Sequence, residues 1–208
     1  MNVYDFDGTI YYPNCTFDFA IWCMIRHPKL LITYFPKIAW NVVLYKLGKI
    51  PLHRLIRKLY ENIGKIDDFE KQVELFWDKN ENKVAQWYLD QKKDDDLIIS
   101  TSASFLIAPI AKRLGVEYVA TEVDPETGVY VDNLMYAKGK ARYIIDRDFP
   151  VIENFYSDSL SDTPIALCAD NAYLVVNRAR TIVNWPHLDE ATMKKVKSKI
   201  ITGWTIHL

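Results

Sequence analysis

The chain has 208 residues, half of them hydrophobic and a quarter charged, with a formal net charge of −1. That length carries one ordinary domain, or one domain with a large insertion, and needs no disulfide or metal to complete its core. Seven glycines, nine prolines and an aromatic content of 13% exclude collagen-like, low-complexity and disordered character.

The apolar run Asn2-Val-Tyr reads as a short strand that ends at the loop Asp5-Phe-Asp-Gly-Thr. From residue 15 to 90 the pattern is helical: Leu55, Leu59 and Ile63 recur every four residues, as do Val73 with Trp77 and Val84 with Tyr88. Pro28, Pro36, Gly48, Pro51 and Gly64 divide this stretch into four or five helices. After Asp94-Asp-Asp the pattern changes. Leu97-Ile-Ile-Ser is a buried strand, and Phe105 to Leu114 a helix closed by Gly115. Tyr118-Val-Ala-Thr is a strand, and Asp124-Pro-Glu-Thr-Gly128 the turn of a hairpin. Gly139 to Asp146 is a helix, Val151 to Tyr156 a strand, Asp162 to Cys168 a short helix, and Tyr173-Leu-Val-Val a strand. Alternating strands and helices imply an α/β fold, a doubly wound, Rossmann-like parallel sheet with its ligand site at the carboxyl ends of the strands. The expected division is a core of residues 1–14 and 91–208 with an all-helical cap, residues 15–90, inserted after the first strand.

Charge is distributed unevenly. Phe19 to Tyr60 contains no Asp or Glu, but eight cations: Arg26, Lys29, Lys37, Lys46, Lys49, Arg54, Arg57 and Lys58. Such a bias points to an anionic partner. Leu30 to Leu47 is also strongly apolar, but Pro36, Lys37, Asn41 and Lys46 interrupt it, so it is not read as a membrane span. Cys15, Cys23 and Cys168 form no CxxC pair and imply no disulfide framework, which fits a reducing cytoplasm. The first residues hold Asp5 and Asp7 and no basic leader, unlike a signal peptide. His27, His53, His187 and His207 lack metal-ligand spacing, and neither a P-loop nor a Gly-x-Ser-x-Gly elbow occurs.

Two carboxylates as close as Asp5 and Asp7 repel each other unless a cation or a proton relieves them. Gly8 permits a tight turn that can aim backbone N–H groups at one anion. Asp158 and Asp162 follow another strand, and a parallel sheet brings both pairs to one edge. An all-oxygen donor set of this kind suits Mg²⁺ working on phosphates. Gly directly after the second Asp does not fit the EF-hand pattern.

Val3-Tyr-Asp-Phe-Asp-Gly-Thr-Ile10 resembles the first motif of the haloacid dehalogenase superfamily of phosphohydrolases. Ile98-Ile-Ser-Thr-Ser-Ala-Ser104 resembles the second, Lys138-Gly-Lys140-Ala-Arg the third, and Tyr156-Ser-Asp-Ser-Leu-Ser-Asp-Thr-Pro164 the acidic fourth. The similarity is to the phosphoserine-phosphatase-like subgroup. It implies Asp5 as a nucleophile forming an aspartyl-phosphate, and Asp7 as the general acid and base. It implies Mg²⁺ on Asp5, the Asp7 carbonyl and Asp158, with Asp162 nearby. The phosphate would meet Phe6, Gly8, Ser102 and Lys140, with Ser100 and Lys138 as competing choices. A phosphotransferase or mutase would use the same motifs, and a non-catalytic membrane-surface protein retaining the fold is the alternative of a different class.

The subgroup places a carboxylate about nine residues after the nucleophile to hold the substrate ammonium. Here Asn14 stands there and the next acid is Asp18, which argues against phosphoserine. The cap from Arg26-His-Pro-Lys is loosely similar to phosphatidylglycerophosphatases of this superfamily, which implies a small or lipid-linked phosphate as substrate. The basic, aromatic cap is further expected to touch anionic membrane at the inner face, and no nucleic-acid partner is expected.

Overall fold

In the computed structural model, residues 1–61, 65–124, 126–129, 134–147, 150–187, 189, 190 and 194 are described. Strand β1 (Asn2–Tyr4) leads into the helices α1 (Cys15–Arg26), α2 (Pro28–Thr33), α3 (Phe35–Lys46) and α4 (Leu52–Tyr60). Then follow α5 (Phe69–Asn80), a 3-10 turn and α6 (Gln86–Gln91). The remaining elements are β2 (Leu97–Ala103), α7 (Ser104–Leu114), β3 (Glu117–Thr121), α8 (Lys138–Asp146), β4 (Ile152–Ser157), α9 (Thr163–Ala166), β5 (Ala169–Val176) and β6 (Thr181–Asn184).

Six strands form one sheet in the order β3-β2-β1-β4-β5-β6, parallel except for the antiparallel β5–β6 pair. The chain leaves β1 for β2 and β3 on one side, then returns to β4 on the other. The adjacent carboxyl ends of β1 and β4 therefore form the switch point where doubly wound sheets hold their ligands.

Each central strand is apolar on both faces because helices cover both. Tyr4, Ile98 and Tyr156 face one layer with Leu106, Ile107 and Ile110 of α7. Val3, Leu97, Ile99 and Phe155 face the other with Ala141 and Ile144 of α8 and Ile165 of α9. Tyr4 stacks on Tyr156 at 4.7 Å between ring centroids, and Tyr156 on Tyr173 at 4.9 Å, an aromatic ladder across three parallel strands. Gly115 closes α7 in the left-handed conformation.

Three features differ from expectation. The 15–90 stretch holds six α-helices among the described residues, because the 3-10 turn at Glu81–Lys83 and the extended residues Val84 and Ala85 part α5 from α6, a break no proline or glycine marks. Strand β6 is an addition whose residues are all exposed, so no buried alternation marks it in the sequence. Strand β5 starts four residues before Tyr173, in a segment paired with β4 but largely accessible.

Turn Asp124–Gly128 closes with the Gly128 amide donating to the Asp124 carbonyl at 2.8 Å. Its Pro125, the returning arm at 130–133, Ile63, Gly64 and His207 lie outside the described residues. No helix among the described residues is long and apolar enough to cross a membrane, and all three cysteines are free.

The helical segment is not uniformly detached from the core. Trp77 of α5 is fully buried, edge-on to Phe6 and Tyr11, and its indole N–H donates to the Leu106 carbonyl at 2.8 Å.

Candidate active site

Asp5 leaves β1 with its amide donating to the Tyr156 carbonyl of β4 at 2.8 Å, which pins it at the switch point. The next residues curl. The amides of Ile10 and Tyr11 both donate to the Phe6 carbonyl at 3.0 Å, and the Gly8 amide donates to the Tyr11 carbonyl at 2.7 Å. Gly8 has φ +79°, and a Cβ built there would overlap the Asp158 carboxylate. Both facts require glycine. Gly8 thus departs from expectation: its amide is committed within the loop, and what it provides is room for Asp158.

Asp158 and Asp162 follow β4. The Asp158 amide donates to Thr9 Oγ1 at 2.9 Å, tying the two loops together, and Ser157 Oγ donates to Asp162 Oδ2 at 2.8 Å. Lys140, in the first turn of α8, is 2% exposed. Its ammonium donates to Asp5 Oδ1 at 2.6 Å and to Asp162 Oδ2 at 2.8 Å. Lys138, the competing lysine, is exposed at the start of the same helix. Gly139 between them lets the helix sit against the Leu134 carbonyl, 2.5 Å from where a Cβ would be.

Strand β2 carries the hydroxyls, and its pairing with β3 is irregular between Ile99 and Ala103. Irregular pairing of this sort re-aims side chains beside functional sites. Thr101 turns to the Met135 carbonyl, at 2.8 Å. Ser100 and Ser102 are both buried, and Ser100 Oγ accepts from the Ser102 amide at 3.1 Å. Ser102 Oγ donates to Asp7 Oδ2 at 2.5 Å and lies 2.8 Å from Thr16 Oγ1, which lies 3.0 Å from the Tyr60 hydroxyl. With Asp7 ionised, each hydroxyl has one proton to give, so the direction is fixed: Tyr60 donates to Thr16, Thr16 to Ser102, Ser102 to Asp7. Asp7 also accepts from the Cys15 amide at 2.5 Å.

Burial shapes the ionisation of these groups. It pushes the Asp5 carboxyl up to about 8, opposed by Lys140 and assisted by Asp162 and Asp158. Burial likewise raises Asp7, against the hydrogen bonds from Ser102 and Cys15. For Lys140, burial disfavours the ammonium, but Asp162 and Asp5 outweigh it and hold it charged.

All these groups line one cavity of about 380 Å³. Its floor holds Asp5, Asp7, Ser100, Ser102, Lys140, Asp158 and Asp162; Phe6 is buried in the core beneath. Its roof comes from the helical segment: Val42, Tyr45 and Lys46 of α3, then Leu55, Ile56, Leu59 and Tyr60 of α4. Among the described residues the roof carries no carboxylate. Asn14 lines the cavity but caps α1, its Oδ1 accepting from the Phe17 amide at 3.0 Å. Asp18 accepts from Lys83 at 2.7 Å and from the Tyr11 hydroxyl at 2.8 Å.

Sequence reasoning did not single out Thr9, Thr16, Ser157 or Tyr60 for the site, and named Lys46 only as one of the eight cations. Thr9 and Ser157 lie inside motifs already noted. Thr16 and Tyr60 reach the floor only through the fold.

No three His, Cys, Asp or Glu side chains among the described residues form a metal-binding group. Any divalent ion here would rest on two carboxylates, backbone oxygen and water. The donor atoms of the floor are oxygens, and among the described residues its four carboxylates outnumber the one ammonium, which fits such an ion.

The chain matches the haloacid dehalogenase-like hydrolase family over residues 3–167. A protein of unknown function from Bordetella pertussis Tohama I shares its fold with TM-score 0.66 and 17% identity, over 83% of this chain and 87% of that one. A HAD family hydrolase from Salmonella enterica subsp. enterica serovar Typhi superposes with TM-score 0.57 and 17% identity, covering 80% of this chain. This chain spans 58% of that protein's length. A phosphoserine phosphohydrolase-like protein from Francisella tularensis subsp. tularensis SCHU S4 gives TM-score 0.54 and 16% identity, over 83% and 86% of the two chains. No curated protein matches this chain in sequence.

Proposed function

The chain belongs to the haloacid dehalogenase-like hydrolase family, and from its site we propose that it hydrolyses phosphomonoesters through an aspartyl-phosphate on Asp5. One observation carries this reading. Asp5, Asp7, Ser102, Lys140, Asp158 and Asp162 come from four separate parts of the chain and converge on the floor of one cavity.

Lys140 holds Asp5 Oδ1, which leaves Oδ2 as the attacking oxygen. It attacks phosphorus, the ester P–O bond breaks, and the leaving alkoxide takes a proton from Asp7. The burial that raises Asp7 favours the protonated acid this step needs. Asp7 then removes a proton from water, which attacks the same phosphorus. The bond between phosphorus and Asp5 breaks, and phosphate leaves. Lys140 neutralises the phosphoryl oxygens, and Ser102, whose proton is released once Asp7 is itself protonated, donates to them with Ser100 beside it. The amides of Phe6 and Asp7, which carry no backbone hydrogen bond among the described residues, supply further donors. Asp5, Asp158 and the Asp7 carbonyl would hold Mg²⁺, with Asp162 behind them; when bound, the ion offsets the repulsion between carboxylate and phosphate.

The roof bears on substrate. Among the described residues it presents no carboxylate to an ammonium group, whereas Val42, Leu55, Ile56 and Leu59 suit an apolar portion. We therefore favour a phosphate ester with an apolar or neutral body, small or lipid-linked, over phosphoserine. The test is release of inorganic phosphate from a panel of both kinds, with and without Mg²⁺. Magnesium-dependent release by the wild type, lost in Asp5→Asn, is expected. Equal release by both proteins would overturn the reading.

A further inference from the structure

The roof of the cavity has an outer side that the catalytic reading does not use. Helix α3 has no buried residue, although most of its residues are apolar. Val42, Tyr45 and Lys46 face the cavity, whereas Trp40, Val43 and Leu47, spaced as one helical stripe, are 61%, 44% and 64% exposed. Helix α1 repeats the arrangement. Cys15, Phe19 and Cys23 are buried, while Phe17, Ile21 and Ile25 form an exposed stripe, Ile25 reaching 68%. Helix α2, packed between them, exposes Ile32 at 77%. Scattered exposed apolar residues are ordinary, but stripes on α1 and α3, with Ile32 on the helix packed between them, mark an interaction surface.

The charges around these stripes identify the occupant. No carboxylate lies between Phe19 and Tyr60. Of the eight cations there, only Lys58 has an ion pair among the described residues, with Glu61 at 2.6 Å. Arg26, Lys29, Lys37 and Lys49 are exposed beside the stripes. A second copy of this chain would oppose the same cations to one another, which disfavours a two-fold dimer through this face. An anionic bilayer matches both components: lysines and arginines meet the headgroups, and Trp40 and the aliphatic side chains enter the interface. Phe17 belongs to both the α1 stripe and the cavity wall, so the face and the cavity adjoin.

We propose that the outer face of α1–α3 docks on anionic membrane, with its cations on the headgroups and its apolar stripes in the interface. Docking does not depend on the hydrolase reading, and sedimentation measures it without turnover. The probe is a pair of vesicles, phosphatidylcholine alone and phosphatidylcholine with about one third phosphatidylserine. At low salt the protein should bind the anionic vesicles at least about tenfold more strongly, and high salt should release it. Trp40→Ser with Leu47→Ser should abolish binding with an unchanged circular dichroism spectrum, since both side chains are exposed. Lys37→Glu with Lys49→Glu should weaken it on anionic vesicles, which keeps the test decisive if the first variant misfolds. Three results would overturn the proposal: negligible binding to both vesicles, binding indifferent to all four substitutions, or a stable complex with itself or a protein that covers the face instead. Loss of docking with phosphate release intact would leave the hydrolase reading standing.

Discussion

Replacing Lys140 with methionine removes the only ammonium on the cavity floor among the described residues and keeps most of the side chain's length. In the native protein that ammonium, 2% exposed, sits within 2.8 Å of both Asp5 and Asp162. Its loss leaves two buried carboxyl groups uncompensated, with Asp158 nearby. Breaking a buried ion pair from one side costs about 3–5 kcal/mol, because the surviving charge stays desolvated. The cost must depend on pH. Asp5 is held near 8 in the fold against an ordinary value of 3.8, so its neutral form favours folding. That contribution is complete below about 4 and fades as pH rises through about 8. Lys140 opposes the rise, so without it the carboxyl stays neutral to higher pH, and the variant keeps losing stability above about 8, where the wild type levels off. Urea denaturation of wild type and Lys140→Met, without added metal, should therefore show a loss of about 3–5 kcal/mol at about pH 10. At pH 5, where Asp5 carries its proton, the loss should shrink to about 1–3 kcal/mol, the cost of the bond to Asp162. A variant within about 1 kcal/mol of wild type at about pH 10, or one that loses more at pH 5, would refute this electrostatic account.

Other consequences are measured more simply. Asp158→Ala should raise the Mg²⁺ concentration for half-maximal activity by at least about tenfold or eliminate turnover; an unchanged Mg²⁺ titration would remove Asp158 from the metal site. Tyr60→Phe removes the outermost donor of the chain to Asp7 and should lower kcat several-fold, about 1 kcal/mol, with KM little changed. Ser102→Ala should cost about 10²-fold, and equal effects of the two would contradict the order of the chain. Trp77→Ala empties a fully buried site and removes the indole bond to the Leu106 carbonyl, so urea denaturation should show a loss of about 3–5 kcal/mol. A loss below about 1 kcal/mol would mean that α5 does not anchor on the core as its packing indicates.

The parallel core was legible because its strands are short apolar runs followed by the residues of the site. Val3 and Tyr4 lead to Asp5, Ile98 and Ile99 to Ser100, and Phe155 and Tyr156 to Ser157 and Asp158. Local pattern alone left Lys138 and Lys140 undecided. The start of α8 at Lys138 and the tight approach of Gly139 to Leu134 turn Lys140 inward. Ser100 and Ser102 occupy the same face of β2, so alternation could not separate them; the irregular register and the pull of Asp7 do. The chain from Tyr60 through Thr16 joins residues 44 and 86 positions apart, beyond the reach of any local pattern. Helix α3 is apolar around most of its circumference, so the exposure of Trp40 follows only from where the helix sits, over the cavity rather than inside the core.

The central claim is that Asp5 carries the phosphoryl group, and transient labelling of that residue tests it most directly. Protein mixed with a radiolabelled phosphomonoester and Mg²⁺, then quenched in acid within one turnover, should yield a single labelled peptide containing Asp5. The label should be lost on treatment with hydroxylamine and absent from Asp5→Asn. Release of inorganic phosphate with no labelled peptide, at the same rate in Asp5→Asn, would contradict the account.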